Sequence, residues 1–151
     1  MGEIMARFQY KMQNILDIKY KLETQAKTAF SVAAEAVRQE EQKLQQLKER
    51  RDAYELEAKQ LVSSQLNIRK ISECHQAIEI MKDRIKNQLV AVHIAERNLE
   101  AARVRLNQVM MERKTHEKLK EREFEEFKRD LESQESKAVD ELVSYSFSNK
   151  R

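Results

Sequence analysis

From Ile71 to Val109 the apolar residues recur alternately three and four positions apart. They are Ile71, Cys74, Ile78, Met81, Ile85, Val92, Ala95, Leu99, Ala102, Leu106 and Val109, with Gln88 the one polar member of the series. A mean period of 3.5 describes a helix that buries one narrow stripe against another helix, whereas a strand would alternate every two residues. Little in the chain interrupts such a helix, because its 151 residues include one Gly and no Pro. Average chains carry roughly 7% Gly and 5% Pro. Sandwiches, barrels and α/β folds with glycine loops need many turns and are excluded. P-loops and dinucleotide sites, which need several glycines beside phosphate, go with them.

The first half carries a second seam. It runs through Phe8, Met12, Ile15, Lys19, Leu22, Ala26, Ala29 and Ala33, then takes one extra four-residue step to Val37. It resumes through Glu40, Leu44, Leu47, Arg51, Tyr54, Ala58, Leu61, Gln65 and Ile68. The extra step predicts a stutter that locally unwinds the supercoil. Beyond Val109 the later seam turns polar at Arg113, His116, Lys120 and Glu123, so packing should weaken there. Between the seams, Ser63, Ser64 and Asn67 compete for helical backbone bonds, and Asn67 is a suitable N-cap for a following helix.

These features predict an all-α fold: a long antiparallel two-helix coiled-coil hairpin whose second helix is longer than the first. The expected boundaries are helix 1 about 5–63, a turn about 64–67, helix 2 about 68–143 and a disordered tail about 144–151, all in one domain. One continuous helix with a register defect is the alternative. In the hairpin, residues whose numbers sum to about 130 face each other. Leu22 should then meet the Val109 region and Leu44 should meet Ile85. Residues past about Glu125 should lack a partner on the first arm.

Charge narrows the function. Asp, Glu, Lys and Arg make up 36% of the chain, and 29 basic against 26 acidic residues give a net charge of +3. The signs are interleaved, which argues against the contiguous basic stripe of a nucleic-acid binder. No stretch approaches the ~20 apolar residues that cross a bilayer. Arg7 and Lys11 interrupt any apolar start, and Ala6 stands where a myristoylation motif needs Ser or Thr. Cys74 is the only cysteine, so no internal disulfide can form, and a cytosolic protein is expected.

No chemistry is expected either. His75, His93 and His116 show neither the His-Glu-x-x-His spacing nor the Glu-x-x-His of a di-iron bundle. Cys74 and His75 are adjacent, so on a helix they point about 100° apart and do not share a metal easily. Cys74 lies on the seam and reads as a packed thiol. A non-enzymatic protein without cofactor or metal follows.

Both ends of the chain carry a further pattern. The first is Phe8-Gln9-Tyr10-Lys11-Met12-Gln13-Asn14-Ile15-Leu16-Asp17-Ile18-Lys19, followed by Leu22-Glu23. The second begins Glu112-Arg113-Lys114-Thr115-His116-Glu117-Lys118-Leu119-Lys120-Glu121-Arg122. It continues to Glu135-Ser136-Lys137-Ala138-Val139-Asp140-Glu141. Together they resemble the two ends of the FliJ family, small coiled-coil components of the bacterial flagellar type III export apparatus.

The resemblance implies an antiparallel hairpin similar to the central stalk of rotary ATPases. It implies binding to the hexameric export ATPase FliI, promotion of ring assembly, and contacts with the export gate protein FlhA and with substrate chaperones. It also implies a cytoplasmic protein, a monomeric hairpin when free, peripherally associated with the export apparatus at the inner membrane. The residues it suggests for ATPase contact are Tyr10, Lys11, Asn14, Asp17, Lys114, Glu117, Lys118, Glu121 and Arg122. Those it suggests for gate contact are Gln76 and Met81, with Ala77 where the family often has Phe. The equivalent stalk of a virulence secretion system and a dimerising coiled-coil scaffold are the alternatives.

Overall fold

The computed structural model describes residues 7–64 and 67–149, the side chain of Asn149 excepted. Two α-helices account for nearly all of them: α1, Gln13–Ser64, of 52 residues, and α2, Ile68–Asn149, of 82 residues. The helices pack against each other as a hairpin. Residues 65 and 66 of the expected turn lie outside the described residues. On either side of them the local chemistry is as the sequence predicts. The Ser64 hydroxyl donates back to the Gln60 carbonyl at 2.8 Å, so the helix absorbs its serines. Asn67 caps α2: its Oδ1 accepts from the Lys70 N–H at 3.3 Å, and its carbonyl accepts from the Ile71 N–H at 3.0 Å.

The inward faces show which seam the chain uses. On α2 every predicted position from Ile71 to Val109 is buried or half-buried, and Arg113, His116 and Lys120 continue the series. On α1 the inward series runs through Leu16, Lys19, Glu23, Ala26, Phe30, Ala33, Val37, Glu40, Leu44, Leu47, Arg51, Tyr54, Ala58 and Leu61, with Leu22, Ala34, Ala36 and Lys48 half-buried beside it. The series alternates three and four without a break, so the expected stutter is absent. Met12, Ile15 and Ala29 are exposed; the inward places nearby belong to Leu16 and Phe30. Apolar spacing points to the other register here because Ile15, Leu22 and Ala29 form an apolar series one residue away from Leu16, Glu23 and Phe30. Glu23 occupies its inward position with a cationic partner.

The chain divides into two compact units. In the unit comprising residues 25–107, Ala58, Cys74 and Ile78 form a buried cluster with Tyr54 and Leu61 packed on it. Gln88 crosses to α1, where its Nε2 donates to the Glu40 carbonyl at 2.9 Å and to Glu40 Oε2 at 2.5 Å. The polar interruption in one seam therefore meets the polar interruption in the other. This pairs two half-buried polar groups and favours one register over neighbouring ones.

The other unit contains residues 1–24 and 108–151. Its core includes the fully buried Leu16 and Val109. Burying such an aliphatic side chain contributes about 1.5–3 kcal/mol. Here α1 begins at Gln13, later than expected, and residues 7–10 are not helical. The Gln13 N–H turns back to the Tyr10 carbonyl at 3.1 Å. Phe8 leaves the helical path to pack on α2, with ring centroids 5.2 Å from Phe124 and 5.6 Å from Phe127. Aromatic burial at this end outweighs another frayed helical turn. The Phe8–Phe127 contact also gives a residue past Glu125 a partner on the first arm, which the numbering rule did not foresee. Residues 144–149, expected to be disordered, continue α2: helix propagation adds a hydrogen bond per residue without another nucleation cost.

Candidate protein-binding site

The unit that holds both chain ends is organised by a charged network inside the seam. Arg113 donates through Nε to Glu23 at 2.7 Å and through Nη2 to the other Glu23 oxygen at 3.2 Å. Its Nη1 reaches Glu117, one turn further on α2, at 2.9 Å. Glu117 also accepts from the Tyr20 hydroxyl of α1, and Lys19 pairs with Glu112 at 2.9 Å. A fork of guanidinium donors suits two carboxylates at once, as a lysine would not.

These contacts shift the groups as expected. Hydrogen bonds from Tyr20 and then Arg113 hold the Glu117 carboxyl below the usual carboxylate range. The same bond to Glu117 raises the Tyr20 phenol, and the hydrogen bond to Glu23, then that to Glu117, raises the Arg113 guanidinium. The network fixes α1 against α2 while leaving the outward faces of both helices free for other contacts.

Around this network lie the residues singled out from the sequence. Lys11, Asn14 and Asp17 are exposed on or just before α1, and Asp17 accepts from the Gln13 amide at 2.9 Å. Lys114, Lys118, Glu121 and Arg122 are exposed on α2. Lys118, Glu121 and Arg122 line a shallow depression with Phe124 and Glu125. Lys128 lies 5.2 Å from the Phe124 ring centroid, in cation–π range.

Two of the candidates differ in role from the rest. Tyr10 is buried, and its hydroxyl has no hydrogen-bond partner among the described residues. Glu117 is half-buried and committed to Arg113 and Tyr20. Both shape the unit from within rather than presenting a free side chain.

The second suggested surface separates in the same way. Gln76 is exposed, but Met81 is only 4% exposed and lies on the seam against α1. In this hairpin Met81 lies beneath the neighbouring surface. Cys74 is likewise buried, and its thiol is pushed up by burial and then by the Glu57 and Glu73 carboxylates, which disfavours the thiolate.

Sequence reasoning missed Lys19, Tyr20, Glu23 and Glu112 as partners of the polar end of α2. The usable signal was there: Arg113 sits on a seam, and a seam arginine calls for a carboxylate on the facing helix.

Among the described residues no group of three or more His, Cys, Asp or Glu side chains could hold a metal ion, and no helix is long and apolar enough to cross a membrane. Family comparison adds the decisive observation: the family model described as Flagellar FliJ protein matches residues 8–151. The chain belongs to the FliJ family. It is thus a coiled-coil protein related to flagellar export, in a family of non-enzymatic export components. The match takes in both terminal motifs and all of α1 and α2. No curated protein and no solved structure matches the chain.

Proposed function

We propose that this FliJ-family chain is a cytoplasmic, non-enzymatic stalk of the flagellar type III export apparatus. In this reading it binds the export ATPase FliI through the unit that holds its two ends and promotes assembly of the ATPase hexamer. It also links the ring to the gate protein FlhA and to substrate chaperones. The observation that carries the reading is the pairing of both family motifs in one unit. Lys11, Asn14 and Asp17 from one end and Lys114, Lys118, Glu121 and Arg122 from the other are exposed around a tightly paired interior.

The mechanism needs no bond chemistry. A hairpin that binds the assembled ring better than free subunits shifts assembly by mass action, in proportion to that difference in affinity. The interior network contributes stiffness, so that exposed groups of both helices meet a ring without first being ordered. Tyr10 and Glu117 hold the surface in shape. Gate contact would use the exposed early face of α2 around Gln76, with Met81 supporting it from the seam.

The test is to titrate the purified protein into the export ATPase of the same organism and follow ATP hydrolysis together with hexamer formation. Saturable stimulation of both is expected. Lys118→Glu with Arg122→Glu should weaken it while helicity is retained. No effect of the folded protein on either quantity would overturn the ATPase reading.

A further inference from the structure

Residues 7–12 stand off the helical path although nothing in their own sequence bars a helix. They contain neither Gly nor Pro, and Phe8, Met12 and Ile15 keep helical spacing, yet α1 begins only at Gln13. The contacts that hold them are on α2. Phe8 lies edge-on to Phe124, with Phe127 beside it, and Tyr10 is buried. Phe124 remains 38% exposed with Phe8 in place, and it borders the shallow depression lined by Lys118, Glu121 and Arg122.

This docked arrangement carries two costs. The Tyr10 hydroxyl is taken out of water and has no hydrogen-bond partner among the described residues, so its desolvation is not repaid. The segment also forgoes the backbone hydrogen bonds that continuing α1 would add, one per residue. A continued α1 relieves both. Tyr10, Asn14 and Asp17 are spaced four and three, and Asn14 and Asp17 are exposed. On a continued helix Tyr10 would therefore share their outward face, with its hydroxyl in water.

We propose that residues 7–12 are a releasable strap over the Phe124–Phe127 site of α2. Docked, as in this structure, the strap fills the site with Phe8. Released, it continues α1, sets Tyr10 in line with Asn14 and Asp17, and frees the two rings for an apolar side chain of the protein that binds this unit. A partner that touches both Tyr10 and Phe124 selects the released form and stabilises it by its difference in affinity for the two. That this partner is the export ATPase rests on the function proposed above; the strap itself does not.

The test uses the full chain with fluorinated phenylalanine at its five Phe positions, read by fluorine NMR and assigned by single Phe→Leu substitutions. In the protein alone, Phe8, Phe124 and Phe127 should show exchange between two forms at one common rate. Phe30, in the other unit, should not share it. Tyr10→Phe removes the stranded hydroxyl and should shift the population toward the docked form by about fivefold or more. Saturating ATPase should move the Phe8, Phe124 and Phe127 resonances to their released positions.

Three sharp resonances without exchange would overturn the proposal, as would a Tyr10→Phe variant that populates the released form more. So would a complex with the ATPase in which Phe8 keeps its docked resonance. An ATPase that does not bind the chain would instead overturn the function proposed above, and the exchange in the free protein would still decide the strap.

Discussion

Arg113 and Glu23 meet at 2.7 Å inside the seam, one residue from each helix, with Glu23 only 6% exposed. A buried pair of this kind is a weak source of net stability, because both ions are taken out of water. Its stronger effect is on alternatives: any slipped pairing of α1 on α2 leaves a charge buried without its partner. The network with Glu117 and Tyr20 extends that penalty by one further turn of α2.

Single substitutions should therefore cost more than the pair replaced together. Glu23→Leu alone leaves Arg113 with Glu117 as its one carboxylate partner and should lower the urea midpoint, and Arg113→Met alone, which leaves Glu23 buried without its guanidinium, should lower it clearly. The double variant should regain most of the loss, since an apolar pair of similar volume packs without desolvating charge. Urea unfolding followed by circular dichroism closes the cycle. Additive losses would show that the two residues act independently.

The register of α1 can be checked one residue apart. Leu16 is 1% exposed and Ile15 39%. Leu16→Ala should destabilise the protein by about 2–5 kcal/mol. Ile15→Ala should cost about 1 kcal/mol, because more than a third of that residue already lies in water in the folded protein. Thermal or urea melts of the two variants measure the difference, and equal losses would place the seam elsewhere.

Stability should follow pH through Glu117 and Tyr20. The folded Glu117 carboxyl is held below its usual value, so near pH 4 the unfolded chain binds more protons. The stability it confers is complete above its ordinary value of about 4.3 and is lost as pH falls through the depressed one. Tyr20 works in the opposite sense: its phenol is raised above 10.0 by Glu117, so its contribution is present below that value and lost as pH rises. Melting temperature should fall at both extremes, and Glu117→Gln should flatten the acid limb. An unchanged acid limb in that variant would assign the loss to other carboxylates.

Cys74 offers a probe of the buried cluster with Ala58 and Ile78. Its raised thiol and burial should make labelling by a thiol reagent at pH 8 at least about tenfold slower in the native protein than in denaturant. Equal rates would mean that this part of the hairpin opens freely.

Much of the architecture was legible in residue spacing alone. The α2 seam from Ile71 to Val109 is inward at every predicted position, because a 3.5-residue apolar period on a chain with one Gly and no Pro has few other outlets. Asn67 as the α2 cap followed from the hydrogen-bonding habit of its side chain, and the family followed from motifs at both ends. The surfaces were only partly legible: exposure of Lys11, Asn14, Asp17, Lys118 and Arg122 agrees with a binding role, whereas Tyr10 and Met81 are buried.

What tertiary structure alone decided was the register at the N-terminal end of α1. Apolar spacing favoured Met12, Ile15 and Leu22, of which Leu22 alone is half-buried. The packed pair of helices instead places Leu16 and Glu23 inward, because Arg113 arrives from a position 90 residues away to neutralise the charge. Likewise Phe8 abandons the helix because Phe124 and Phe127 of α2 cover it. Periodicity is local and survives in sequence. The compensation of one buried charge or one aromatic ring by a distant partner is a pairwise energy, and it is set only when the two helices meet.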